Sequence, residues 1–293
     1  MQYEGIDHVF LPVRSVEEAA APFERLGLKL SPARTFTCGL VNRVVFVGHG
    51  ENLFAIELFG IHDAAAARRS ILGRHILDAL EHGSGLCLVG LRVPNLVDAM
   101  RKLSGKGVGS VAEPYADTDG IAICDLALLD LPDVAACTVM LVQNRFSQRE
   151  RTSMRTNLGH LNHTLPIKRV DHLAAVTHQL EDTTRYWDTV MGVPRVGVVS
   201  NERIVLHQLK IGDVMLELIA PASADSPAAS RPQGLGSSVS CEVDDIQACA
   251  RMARAAGFSP SEPAIGTLPG TYSSTIPGSE LFGLNFQFLQ YIK

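Results

Sequence analysis

The stretch Ile6-Asp7-His8-Val9-Phe10-Leu11-Pro12-Val13 returns, with the same grammar, as Val170-Asp171-His172-Leu173-Ala174-Ala175-Val176-Thr177. Each is an apolar strand carrying an Asp-His pair, and each leads into a helix that ends at a glycine. After the first strand, Ser15 and Glu18 have the S-x-x-E spacing of a capping box, residues 16–26 have helical periodicity, and Gly27 follows. After the second, a helix is predicted from Glu181 to Met191, with Gly192 behind it. Two fainter copies complete the set. Residues 86–93 precede Asn95, a helix to Leu103 and Gly105 or Gly107, and residues 237–243 precede Asp244, Asp245, a helix to Ala256 and Gly257. The spacing is nearly constant: 19 residues from His8 to Gly27, 19 from Leu88 to Gly107, 20 from His172 to Gly192 and 19 from Ser238 to Gly257.

Short strands follow the helices, at 41–47 and 52–59 after Gly27, at 195–199, 203–211 and 213–220 after Gly192, and at 284–291 near the end. The unit therefore reads β-α-β-β-β and spans about 60–80 residues. Residues 108–130 read as loop-like. Residues 63–81 read as an inserted amphipathic helix with Ile71, Leu72, Ile76, Leu77 and Leu80 on one face. Residues 144–168 are polar and aperiodic, which makes them a connection. The expected layout is an N-terminal domain at 1–145, a linker at 146–168 and a C-terminal domain at 169–293.

Composition sets the class. Of 293 residues, 46% are hydrophobic and 19% charged, enough for packed cores and too apolar for disorder. The net charge of -5 argues against nucleic acid as a partner. No apolar run reaches the ~18–20 residues of a membrane span. The start MQYEGID has no basic stretch followed by an apolar core, so no secretory leader is expected. Six cysteines lie scattered without a C-x-x-C pair, which predicts reduced thiols in a cytoplasmic protein. No nucleophile-elbow, P-loop or dinucleotide fingerprint occurs.

Polar residues inside apolar strands point to chemistry. His8 is followed 49 residues later by Glu57, within Phe54-Ala55-Ile56-Glu57-Leu58-Phe59. His172 is followed 45 residues later by Glu217, within Val214-Met215-Leu216-Glu217-Leu218-Ile219. A carboxylate in such a strand is paired, hydrogen-bonded or bound to a cation, and His with Glu suits divalent zinc, nickel, iron or manganese. At the corresponding places the fourth unit offers Ser238 and Gln287, while the second offers Leu88 and Met140, which cannot ligate a hard cation.

The IDH and VDH strand starts, the strands ending in Ile56-Glu57-Leu58 and Leu216-Glu217-Leu218, and the fourfold repeat resemble the vicinal oxygen chelate superfamily of glyoxalases, extradiol dioxygenases and epimerases. The stretch Cys38-Gly39-Leu40-Val41-Asn42-Arg43-Val44-Val45-Phe46 is similar to glyoxalase-like domains in particular. The resemblance implies an α+β fold of four βαβββ modules paired into two cup-shaped glyoxalase-like domains. It implies a divalent metal in a cup, chelated by two adjacent oxygens of a small organic substrate. By that implication the C-terminal cup offers the metal ligands His172, Glu217 and Gln287, with Ser238 beside them, and the N-terminal cup offers His8 and Glu57. A pairing of the first module with the fourth stays open. Glu217 and Tyr272 are the candidate catalytic residues, Tyr272 because extradiol enzymes place a tyrosine similarly. The expected activity is lyase- or isomerase-like, because the two-His, one-carboxylate iron set is incomplete. The alternatives are an extradiol-type dioxygenase with an altered iron site and a metal-free small-molecule-binding or resistance protein. A homodimer is the expected assembly, from the frequency of dimers among such enzymes and the spare helix at 63–81.

Overall fold

A computed structural model describes residues 2–83, 85–226 and 228–292. Met1 and Lys293, the outer bounds of the expected domains, lie outside them. Module one contains β1 (Gly5–Pro12), α1 (Val16–Arg25), β2 (Arg34–Thr35), β3 (Leu40–Val47) and β4 (Phe54–Ile61). Helices α2 (Ala64–Arg69) and α3 (Ile71–His82) lead to module two: β5 (Leu88–Arg92), α4 (Leu96–Ser104), β6 (Gly109–Ala116), β7 (Ala122–Asp130) and β8 (Val139–Asn144). Helix α5 (Gln148–Asn157) then leads to module three: β9 (Ile167–Val176), α6 (Leu180–Tyr186), β10 (Arg195–Ser200), β11 (Ile204–Ile211) and β12 (Val214–Pro221). Module four is β13 (Gly234–Val243), α7 (Ile246–Ala255), β14 (Ala264–Ile265), β15 (Thr271–Ile276) and β16 (Asn285–Tyr291).

Among the described residues the strands form two eight-stranded sheets, ordered β2-β3-β4-β1-β5-β8-β7-β6 and β10-β11-β12-β9-β13-β16-β15-β14. Module one thus pairs with two and three with four, which decides the open pairing. The joins are antiparallel, β1 on β5 and β9 on β13, whereas β1–β4 and β9–β12 run parallel. Helices α1, α4 and α7 bury their apolar stripes on the sheets. Phe23 of α1, Leu96 and Leu103 of α4, Ile246 and Cys249 of α7 and the backs of both sheets merge into one core. Trp187, in the π-turn that prolongs α6, is fully buried in it and donates its indole N–H to the Ala135 carbonyl at 2.9 Å.

The repeating glycines end their helices with φ of 94° (Gly27), 83° (Gly107), 75° (Gly192) and 81° (Gly257), the left-handed region that other residues avoid. The Ser15 hydroxyl caps α1 by accepting from the Glu18 N–H at 3.2 Å. The helix expected at 63–81 is two helices broken at Ser70, whose hydroxyl caps α3. Leu72 and Ile76 of α3 pack in one cluster with Phe10, Met140 and Tyr115 of the first sheet.

Two expectations fail. Residues 108–130 are not loop-like: they form the edge hairpin β6–β7. The sequence hides it because β6 is an edge strand that contains Pro114 and is exposed or half-buried at every position but Tyr115. Residues 144–168 are not merely a connection. Their helix α5 opens on a full capping box between Ser147 and Glu150. It has no apolar stripe to signal it, and polar bonds dock it: Gln148 donates to the Leu53 carbonyl at 2.9 Å and Thr152 to the Gly50 carbonyl at 2.7 Å.

Candidate functional site: two unlike cups

Each sheet curls around one cavity. The C-terminal cavity, about 370 Å³, is lined by His172, Glu217, Ser240 and Gln287, with Arg203 and Arg231. The N-terminal one, about 290 Å³, is lined by His8 and Glu57, with Arg151, Arg155, Tyr115 and Met140.

In the C-terminal cup, parallel pairing sets Met215 opposite His172 and Glu217 opposite Ala174, so the carboxylate reaches back toward the imidazole. His172 Nε2 and Glu217 Oε2 stand 3.8 Å apart. Each side chain is oriented from behind. His172 Nδ1 donates to Asp171 Oδ1 at 3.0 Å, and Gln208 donates to Glu217 Oε1 at 3.0 Å. The Ser240 hydroxyl donates to Gln287 Oε1 at 2.7 Å. Asp171 is held in turn by Arg169 at 2.7 Å and the Tyr291 hydroxyl at 3.0 Å. Burial alone would raise the Asp171 carboxyl, but the His172 hydrogen bond and charge, with Arg169, hold it below its usual value.

The N-terminal cup repeats the carboxylate offset, with Glu57 opposite Phe10. Asp7 is 2% exposed and bound by Arg151 at 2.6 Å, Asn144 at 2.9 Å and His8 Nδ1 at 3.1 Å. Burial alone would raise its carboxyl, but Arg151 and His8 hold it well below the carboxylate range. Glu57 accepts from Asn42 at 2.8 Å, and burial pushes its carboxyl up despite His8 and Asn42. His8 turns its Nδ1, not its Nε2, toward Glu57, at 3.8 Å. The ring stacks on Phe10, with centroids 4.7 Å apart, and its Nε2 edge lies on Gly90. A Cβ at Gly90 would stand 2.2 Å from Nε2, so only glycine admits the ring there.

The structure therefore brings His172, Glu217 and Gln287 to one cavity and His8 and Glu57 to the other. Tyr272 is not at either: it is 39% exposed, and the neighbouring Ser273 faces the C-terminal cavity. Ser238 also lines the C-terminal cavity, but the residue opposite His172 is Ser240, while Ser238 pairs with Asn285. Leu88 is likewise replaced, since Gly90 stands opposite His8 and beside Met140. Sequence reasoning missed Arg151, Arg155 and Tyr115. The Ser147-to-Glu150 spacing and the i, i+4 arginines were the available signal for the first two.

The chemistry of the donors separates the cups as metal sites. Among the described residues no three His, Cys, Asp or Glu side chains converge, so a third side-chain donor would have to be of another type, such as an amide. The C-terminal cup has one in Gln287, and its imidazole and carboxylate carry the outer partners that fix metal ligands. The N-terminal cup does not fit: His8 has its Nδ1 on Asp7 and its Nε2 edge on Gly90, and the amides at that cavity, Asn42 and Asn144, donate to Glu57 and Asp7. The six cysteines are free, and burial pushes Cys38 and Cys249 up to about 11, which keeps those thiols protonated.

Paired βαβββ modules curled around cavities with in-strand His and Glu define the vicinal oxygen chelate class. Residues 6–165 match the family described as Glyoxalase-like domain, and residues 171–272 match the Glyoxalase/Bleomycin resistance protein/Dioxygenase superfamily. The first match covers more than half of the chain, and the protein belongs to the glyoxalase-like domain family of the vicinal oxygen chelate superfamily. A hypothetical protein from Staphylococcus aureus shares the fold at 12% identity and TM-score 0.62, over 97% of this chain and 98% of that one. Methylmalonyl-CoA epimerase from Mycobacterium tuberculosis is similar at 19% identity and TM-score 0.42, over 46% of this chain and 96% of its own. A Streptomyces coelicolor methylmalonyl-CoA epimerase in complex with 2-nitronate-propionyl-CoA gives 22% identity and TM-score 0.39, over 43% and 95%. No curated protein matches the chain. Among the described residues no helix is long and apolar enough to cross a membrane.

Proposed function

We propose that the protein is a divalent-metal-dependent enzyme of lyase or isomerase type, with its reaction centre in the C-terminal cup. The observation that carries this is the pair His172 Nε2 and Glu217 Oε2, 3.8 Å apart on the cavity wall, each held from behind by Asp171 and Gln208. With Gln287 Oε1, steered by Ser240, they would hold the ion. When bound there, a divalent ion supplies Lewis acidity to two neighbouring oxygens of a small organic substrate. Glu217 is the carboxylate on the cavity wall, and it is the group placed to take or return a substrate proton. Arg203 and Arg231 at the same cavity favour a substrate that carries negative charge. Ser240 stands opposite His172, where a second histidine would complete a two-His, one-carboxylate ferrous set, which is why ring cleavage ranks below proton transfer.

Elemental analysis of protein purified without chelator, followed by calorimetric titration with zinc, nickel, manganese and ferrous ions, tests this. The expected result is about one ion per chain, weakened at least ~10-fold by His172→Ala and by Glu217→Gln and unchanged by His8→Ala. Less than about a tenth of an equivalent, with no binding on titration, would overturn it in favour of a metal-free binding protein. Loss in His8→Ala alone would move the centre to the other cup.

A further inference from the structure

The N-terminal cup is built, yet its wall is unfinished. Among the described residues, buried side-chain polar atoms without a hydrogen-bond partner include His8 Nε2, Tyr115 Oη and His160 Nδ1. All three residues line this one cavity, His8 with its Nε2 edge on Gly90, and no such atom belongs to a residue lining the C-terminal cup. Tyr115 is 7% exposed, its ring stacked on Phe36 with centroids 4.4 Å apart. A buried hydroxyl without a partner is costly, and each such group calls for an explanation, of which a bound ligand atom is one.

Charge points the same way. Of the cavity's arginines, Arg34 is paired with Asp117 and Arg151 with Asp7. Arg155 lies over the Phe46 ring, 4.3 Å from its centroid, and forms no ion pair with the described carboxylates. Burial and the neighbouring Arg151 make its charge harder to hold, and an anion would relieve both. His160 stacks on the same Phe46 ring, with centroids 5.9 Å apart. Of the cavity's carboxylates, Asp7 is neutralised by Arg151, and Glu57 is engaged by Asn42 and by His8. Arg155 is therefore the one arginine of this cavity without a carboxylate partner among the described residues. Below it the wall is apolar, made by Phe10, Phe36, Leu126, Met140 and Val142.

We infer that the N-terminal cup is a binding site for an organic monocarboxylate with an apolar body. Arg155 takes the carboxylate, the Tyr115 hydroxyl donates to a ligand oxygen, and the phenylalanine-rich floor covers the body. A single guanidinium without a carboxylate partner suits one negative charge and not a phosphate dianion, and the seating of His8 Nε2 on Gly90 separates this site from the metal reading of the other cup. It stands whether or not that reading holds.

The test is calorimetry on the full chain with benzoate, cinnamate and octanoate, each against its primary amide, with circular dichroism to confirm that each variant is folded. At least one acid is expected to bind once per chain, at least ~10-fold tighter than its amide. Arg155→Gln should weaken it at least ~10-fold and Tyr115→Phe several-fold, while His172→Ala changes nothing. Tyr115→Phe also serves as the folding control, because removing a hydroxyl without a partner should leave thermal stability equal or higher. The inference is overturned if no acid binds below about 10 mM. It is also overturned if acid and amide bind alike, if Arg155→Gln binds as the parent does, if inorganic phosphate displaces the acid at equal concentration, or if His172→Ala abolishes binding.

Discussion

The two cups share an Asp-His pair and an in-strand glutamate two residues beyond the histidine in register, yet they are different chemical environments. Three exchanges separate them. Phe10 stands where the other cup has Ala174, Gly90 where it has Ser240, and Met140 where it has Gln287. In the N-terminal cup these let the imidazole sink onto the strand and stack, leaving Nε2 without a partner. In the C-terminal cup the serine steers an amide oxygen, and Nε2 faces the glutamate. A repeated sequence motif thus fixes where a side chain starts, and the residues across the sheet decide which of its atoms faces the cavity.

The sharpest way to break this comparison is at the aspartates. Asp7→Asn leaves the buried Arg151 without its counter-charge and should cost about 3 kcal/mol at pH 7 by urea unfolding. Asp171→Asn should cost less, because its partner Arg169 is more exposed, 29% against 15%. The sign with pH follows from the lowered Asp7 carboxyl. Its stabilisation is complete above the unfolded value of about 3.9 and is lost as pH falls toward the folded one, so the Asp7→Asn cost should shrink below about pH 4. Equal costs at the two aspartates would show that the cups are energetically alike. Next in size is Gly90→Ala, whose methyl would meet His8 Nε2 at 2.2 Å and force the ring off Phe10. A loss of about 1–3 kcal/mol is expected, whereas Ser240→Ala should stay within about 1 kcal/mol.

How much of this could be read in the sequence differs between fold and site. The repeat was legible because Gly27, Gly107, Gly192 and Gly257 each punctuate a helix, and the structure sets all four in the left-handed region. The His-Glu pairs were legible because they recur with that repeat. Gly90 and Ser240 were not, because β5 and β13 meet their neighbours antiparallel, with register shifts, so equal distance along the chain does not give equal position in the cup. Tyr115 was hidden in an edge strand without alternation. Arg151 and Arg155 were hidden in a helix held by polar bonds, for which hydrophobic periodicity carries no signal.

Ser240 offers a smaller probe of the proposed metal site. Ser240→Ala removes the hydroxyl that orients Gln287 Oε1, and it should weaken ion binding about 10-fold without a loss of fold. Unchanged affinity would remove Gln287 from the ligand set and leave His172 and Glu217 alone.

The smallest expected effect has the opposite sign. Burial raises the Glu57 carboxyl, with His8 and Asn42 opposing it only in part. A carboxyl raised on folding favours the folded state below its unfolded value, near 4.3, and that advantage is lost as pH rises through the folded value. At pH 7 the charge is therefore a burden, and Glu57→Gln, which keeps the shape and an acceptor for Asn42, should stabilise the protein by less than about 1 kcal/mol. The gain should fade by about pH 4, where parent and variant are both uncharged at this position. A gain that does not depend on pH would instead trace the effect to packing.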